Sequence, residues 1–353
     1  MSIVERNGNF YAVVYPDGKA KWIACGKSKR KAQALHDEYM VKARRGELHI
    51  PKPILLRDFA RLFIEDYCDV ALKPVTTSMY QSHLNRHLIP EFGRYRMTSI
   101  RPEMVQRYVS RLVRESRLSP KSVRNIIVPM RRMFTLAQQW GYANSNPVRG
   151  IALPRVERNE VAFLTPRQIR LLIDHTPDEW KALVALGCLC GLRKGEVLGL
   201  TWDCVLWNEH RIWVRQSLWN GRLQEPKTRS SQAKVPLPPV METMLLERMT
   251  LSPVSEMNLV FCQDDGSPLK ADWVNRILLA RALNSASLPR VTFHGLRHSF
   301  VAAHIASGTP VTVIQGLCRH SSFLTTIDKY GHLLPESRDQ AALSLEAAVW
   351  SAE

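Results

Sequence analysis

Apolar and polar positions follow three successive rhythms along this chain. Near the N-terminus, Phe10-Tyr11-Ala12-Val13-Val14-Tyr15 breaks at Pro16-Asp17-Gly18 and resumes as Lys21-Trp22-Ile23-Ala24-Cys25. Aromatic and β-branched runs around such a turn predict a small antiparallel sheet over residues 8–25. Lys27-Ser28-Lys29-Arg30-Lys31 then opens a helix reaching about Ala43, and Gly46 to Pro53 reads as a linker.

Over residues 55–148 the period is helical throughout. Leu56, Phe59, Leu62 and Phe63 share one stripe, and a second helix is predicted from about Thr76 to Leu88, stopped before Pro90. Arg101-Pro102 opens a third, striped by Met104, Val105, Tyr108, Leu112 and Val113. Ser119-Pro120 sets an N-cap before a first-turn proline and opens a fourth, through about Trp140. Pro147 and Pro154 mark the next boundary.

From Val161 the texture is mixed. Thr165-Pro166 caps one helix, and another runs from about Pro177 to Cys190, where Gly191 ends it. Arg211–Arg215 reads as a strand and Asn220-Gly221 as a hairpin turn. A second short strand leads to Pro226-Lys227-Thr228, and a third is Lys234–Leu237. Helices resume over residues 239–250, 270–283, 296–307, 310–317 and 323–330. The expected fold class is multidomain α+β: a small N-terminal three-stranded sheet plus helix, an all-helical domain, and a mainly α domain with a small antiparallel sheet.

At 353 residues, 45% hydrophobic, two or three domains are expected. No apolar run approaches the ~20 residues of a membrane span, and the N-terminus has no basic segment followed by an apolar stretch, so no secretion signal is expected. Seven cysteines, with no C-x-x-C pair, point to reduced thiols in a cytosolic protein rather than a disulfide scaffold or zinc module.

The net charge of +17 is unevenly placed. Residues 1–50 hold 10 Lys and Arg against 5 Asp and Glu, and residues 51–155 hold 18 against 7. Residues 156–353 are close to balance, with 21 against 20. A polyanion held by the front of the chain is the matching partner. Lys27, Lys29, Arg30 and Lys31 at the first helix, and Lys121, Arg124, Arg131 and Arg132 on the fourth helix of the helical region, are the candidate DNA-binding residues.

The balanced half carries the candidate chemistry: Arg193, Lys227, His294, Arg297, His320 and Tyr330, each at a helix or hairpin boundary. Gathered in one pocket, this inventory suits breaking a phosphodiester without a metal or other cofactor. Two guanidiniums balance the charge that grows on the non-bridging oxygens, gripping two at once as lysine cannot. Lys227, at a hairpin tip, donates a proton to the leaving 5′-oxygen. His294 exchanges the proton of the attacking phenol, and His320 bonds the phosphate. Tyr330 is the nucleophile, and its phosphotyrosyl adduct conserves the bond energy for resealing without ATP.

Each residue alone has a plainer reading: Tyr330 as an amphipathic core residue, Arg297 as a structural ion pair, Lys227 as a turn lysine, the basic clusters as solvated helix faces. His294 and His298 are four apart, as in helical zinc sites, yet residue 295 is glycine rather than the glutamate of H-E-x-x-H, which counts against a metal. Joint occurrence in this order carries the functional reading.

The segments Gly191-Leu192-Arg193-Lys194-Gly195-Glu196, Pro226-Lys227-Thr228, His294-Gly295-Leu296-Arg297-His298 and His320-Ser321-Ser322, followed by Thr325 to His332, resemble the tyrosine site-specific recombinases of phages and mobile elements. The resemblance implies an arm-site DNA-binding domain at 1–50, a helical core-binding domain at 55–150 and a catalytic domain with C-terminal tail at 158–353. It further implies a homo-tetramer on two DNA duplexes, passing through a 3′-phosphotyrosyl intermediate and a Holliday junction, with accessory DNA-bending or excision proteins as further partners and no membrane. A type IB topoisomerase and a catalytically inactive DNA-binding regulator are the alternatives. Two positions depart from the pattern: Arg319 stands where glycine is usual, and Gly295 where an acidic residue is frequent.

Overall fold

The computed structural model describes residues 2–14, 20–44, 51–115, 118–156, 162–224, 232–319, 346 and 349–350. Lys227, His320, Tyr330 and the helix expected over 323–330 lie outside them. The chain divides into two compact units, residues 1–158 and 159–353. Among the described residues no helix is long and apolar enough to cross a membrane.

The first unit begins with an antiparallel sheet of β1 (Ser2–Arg6), β2 (Asn9–Val14) and β3 (Lys21–Gly26), in that order. β1 precedes the two apolar runs that the sequence pattern picks out. Asn7 and Gly8, both at positive φ (52° and 71°), make the turn that joins it to β2. The helix Lys29–Arg44 lays Ala32 and Leu35 on a thin core of Ala12 and Cys25.

The helical part buries Leu56, Phe59, Phe63, Leu84, Leu88, Phe92, Val105, Val123, Met130 and Phe134 in one cluster. Here one expectation is corrected. Pro90 does not stop the second helix, which runs over residues 74–92. Residues Leu84–Leu88 form a wide π-helical turn, in which the Ile89 N–H reaches back to the Leu84 carbonyl. That widening accommodates the ring and the missing donor of Pro90, which would break a regular α-helix. The helix Pro120–Gln139 starts as expected, the Ser119 hydroxyl accepting the Ser122 N–H at 3.2 Å. Asn146 latches the following loop to it, donating to the Arg131 carbonyl at 3.0 Å while its own oxygen accepts the Val148 N–H at 3.0 Å.

The second unit packs the helices Pro166–Asp174, Asp178–Leu189, Pro239–Leu251 and Phe293–Ala306 around one apolar core. Thr165 caps the first in a capping box with Gln168. The strand arrangement departs from a single run of three strands. β4 (Val205–Leu206), β5 (Arg211–Val214) and β8 (Ala233–Pro236) make one antiparallel sheet, whereas β6 (Ser217–Trp219) and β7 (Arg222–Gln224) form a separate ribbon around Asn220-Gly221. Gln216 makes the break between β5 and β6. Its side-chain amide donates to the Gly199 carbonyl at 2.9 Å and to the Thr201 hydroxyl at 3.1 Å, turning the chain out of the first sheet.

Candidate active site

Two glycines let the helix Asp178–Leu189 approach the helix Phe293–Ala306. A side chain on Gly187 would meet the Phe293 ring at 3.0 Å, and one on Gly191 would meet the Phe300 ring at 2.7 Å. Gly191 also turns the chain at a φ of +60°, which glycine alone adopts without strain. The close approach puts Arg297, one turn before Phe300, against the end of the neighbouring helix.

Arg297 is 1% exposed, and its guanidinium donates to the carbonyls of Gly191 and Cys318. Burial pulls its pKa down to about 10, so it remains a cation at neutral pH. Arg193 precedes the short helix Lys194–Leu198. Its backbone N–H and its Nη1 donate to the two oxygens of Glu196, at 2.7 Å and 2.8 Å, and its Nη2 donates to the Arg319 carbonyl at 3.4 Å. The two guanidiniums thus converge on the adjacent carbonyls of residues 318 and 319, immediately before His320 in the chain.

Two members of this cluster were not among the site residues expected from sequence. Glu196 lies in the motif of Arg193 and is buried beneath it, with its side chain 10% exposed. Arg319 follows the helix Val311–Cys318 in a left-handed conformation and sends its side chain inward to Glu196, Nη2 to Oε2 at 2.5 Å. The signal for the first was the i,i+3 spacing to Arg193. The signal for the second was an arginine at a helix end, where a left-handed residue closes the turn.

His294 is exposed in the first turn of the Phe293–Ala306 helix, which starts three residues earlier than the apolar pattern suggested because Thr292 caps it. The Thr292 hydroxyl accepts the Gly295 N–H at 3.3 Å. His294 meets the buried His298 edge to face, with ring centroids 4.5 Å apart. A side chain at 295 would strike Val291 at 2.9 Å, so the space for an acidic residue there is closed. Among the described residues no three His, Cys, Asp or Glu side chains gather as a metal site would.

Of the basic residues in the first unit, Lys27, Lys29, Arg30 and Lys31 are exposed, and the helix they open has no acidic residue in its first turn. Lys121, Arg124 and Arg131 form an exposed stripe on the helix Pro120–Gln139. Arg132 is different: its Nε donates to the Tyr67 hydroxyl at 3.0 Å, and its guanidinium lies 4.6 Å from the Tyr67 ring centroid. A groove of about 450 Å³ runs along Arg124, Val128, Arg131 and Thr135. If Arg124 and Arg131 hold phosphates, replacing both with alanine weakens DNA binding on all sequences alike. It also lowers the slope of log affinity against log salt by roughly 1.8. A titration series from 50 to 300 mM salt reads this directly, and an unchanged slope removes the pair from the interface.

Comparison with known proteins places the chain among phage integrases. The model of the phage integrase family matches residues 162–337, and that of the phage integrase N-terminal SAM-like domain matches residues 55–113. A protein of Caldanaerobacter subterraneus named tyrosine recombinase XerC-like is 24% identical, over 91% of this chain and 90% of its own. Among solved structures, the Tn1549 transposon integrase in complex with a circular intermediate DNA superposes with a TM-score of 0.69 at 18% identity, covering 83% of this chain and 99% of that one. A lambda integrase tetramer bound to a Holliday junction gives 0.62 at 16% identity, over 91% and 95%.

Proposed function

On the premise that this chain belongs to the phage integrase family of tyrosine recombinases, we propose that it cuts and rejoins DNA at the attachment sites of a mobile element or prophage, with Tyr330 as nucleophile. The phenol oxygen attacks phosphorus, the bond to the 5′-oxygen breaks, and a 3′-phosphotyrosyl bond forms. The phenol proton passes to His294, and Lys227 protonates the leaving 5′-oxygen. Arg193 and Arg297 balance the charge on the non-bridging oxygens, and His320 donates a hydrogen bond to one of them. The 5′-hydroxyl of the partner strand then attacks the adduct and releases the tyrosine.

Residues 1–50 bind arm sites, residues 55–150 grip the core site and residues 158–353 carry the catalysis. Four copies act on two duplexes through a Holliday junction, with accessory DNA-bending or excision proteins as partners, at the nucleoid in the bacterial cytoplasm. The observation that supports this most is the convergence of Arg193 and Arg297 on the neighbouring carbonyls of Cys318 and Arg319. With Arg319 the cluster holds three guanidiniums and one carboxylate, Glu196, and like charges in a low dielectric repel strongly unless a further anion joins them.

The test is a nicked suicide duplex carrying the element's core site, incubated with the full chain in excess EDTA. A covalent protein–DNA adduct at wild-type yield is expected. Loss of the adduct in EDTA overturns the metal-free chemistry, and no adduct under any condition leaves an inactive DNA-binding regulator. Relaxation of supercoiled plasmid without pairing of two sites points instead to a type IB topoisomerase.

A further inference from the structure

We propose that Arg319 is a positioning residue of this pocket: by pairing with Glu196 it leaves the charge of Arg193 available to the scissile phosphate. The inference rests on the reading that Arg193 holds that phosphate, and three independent features of residue 319 support it.

The first is backbone conformation. Arg319 closes its helix at φ +51° and ψ +44°, the left-handed region, which strains a side-chain-bearing residue and suits glycine. A turn residue alone would not need arginine there. The second is direction. The side chain is 2% exposed, and its Nη2 shares Oε2 of Glu196 with the Arg193 backbone N–H. The third is poor satisfaction. Arg319 Nε and Nη1 are buried without a partner among the described residues, a costly state for a guanidinium placed only for packing.

Counting charges gives the consequence. Arg193 and Arg319 both pair with one carboxylate, Glu196, Arg297 stands near it on the carbonyls of Gly191 and Cys318, and the cluster carries two excess positive charges. With glycine at 319, Glu196 would be bound by Arg193 alone, and their charges would cancel. Moving the Arg193 guanidinium onto a phosphate would then leave a nearly buried carboxylate with a backbone N–H but no cation, which is penalised. Arg319 removes that penalty, because Glu196 keeps a cation while Arg193 changes partner. Burial lowers the pKa of Arg319, and the Glu196 carboxylate acts against that shift.

Single-turnover cleavage of the suicide duplex tests this in the full chain. Arg319→Gly relieves the backbone strain and should bind DNA within about twofold of wild type. It should cleave roughly 10- to 100-fold more slowly, less than the loss from deleting a direct oxyanion donor. Adding Glu196→Gln in that background removes the carboxylate charge yet leaves an oxygen for the Arg193 N–H, so it should recover most of the rate. A merely structural role predicts no such rescue. Arg319→Asn, which tolerates the left-handed region, serves where the glycine variant folds poorly. Wild-type cleavage by Arg319→Gly, or a double variant no faster than the single one, overturns the proposal and leaves the recombinase reading intact. No adduct from the unmodified protein sinks both.

Discussion

Tyr330→Phe should bind its core site within about twofold of wild type and form no covalent adduct, a loss of at least about 10⁴-fold in cleavage. The substitution deletes one hydroxyl and keeps the ring, so affinity and oligomer formation are expected to survive. The size of the loss follows from the chemistry. A free phenol has a pKa of about 10 and is a weak nucleophile at neutral pH, so the attack proposed for Tyr330 needs cations such as Arg193 and Arg297 beside the phosphate. Those cations stabilise phosphate charge but supply no replacement nucleophile. Measurement is direct: gel-shift affinity for binding, and denaturing electrophoresis of the suicide duplex for the adduct. An adduct of undiminished yield in the variant would move the nucleophile to another residue and void the role given to Tyr330.

The elements that local pattern dictates were legible in the sequence, and those set by tertiary contact were not. Ser119-Pro120 and Thr165-Pro166 carry their own capping chemistry, and both open helices as read. Pro90 misled, because a π-helical turn upstream can absorb the proline, and no apolar spacing announces one. The hairpin at Asn220-Gly221 was correct, but its membership in a separate ribbon depends on Gln216 bonding to Gly199 and Thr201, which lie far back in the chain.

At the site the same division holds. Arg193 and Arg297 could be chosen by residue type, since a phosphate needs guanidiniums, and they do converge. Arg319 read only as a departure in a turn. Its side chain turns inward onto a carboxylate 123 positions earlier, a pairing that no spacing rule encodes. Arg132 shows the opposite error of scale: it belongs to a basic helix face by pattern, but Tyr67, 65 residues away, engages it.

Arg297→Ala should lose on two separate counts, and the two can be measured apart. The side chain is among the largest that are fully buried among the described residues, and it is the donor shared by the carbonyls of Gly191 and Cys318. Truncation leaves a cavity and two carbonyls short of a donor, against which the relief of a buried charge acts in the other direction. Cavity terms for large side chains run to about 3–5 kcal/mol and each unsatisfied group costs about 1–3. The relief from removing a poorly compensated ion is about 1–4 kcal/mol and needs a well-packed apolar replacement, which alanine is not. The central values leave a destabilisation of about 5 kcal/mol, read by urea unfolding of the full chain. Cleavage at a temperature where the variant stays folded should fall a further 10²- to 10³-fold, the usual loss for one oxyanion donor. Arg297→Lys separates charge from geometry. It keeps a cation, but an ammonium cannot span both carbonyls and present a fork to two phosphate oxygens, so it should recover part of the stability and little of the rate. A folded Arg297→Ala enzyme that cleaves at the wild-type rate would reduce Arg297 to a helix clasp and take one of the two phosphate ligands out of the mechanism.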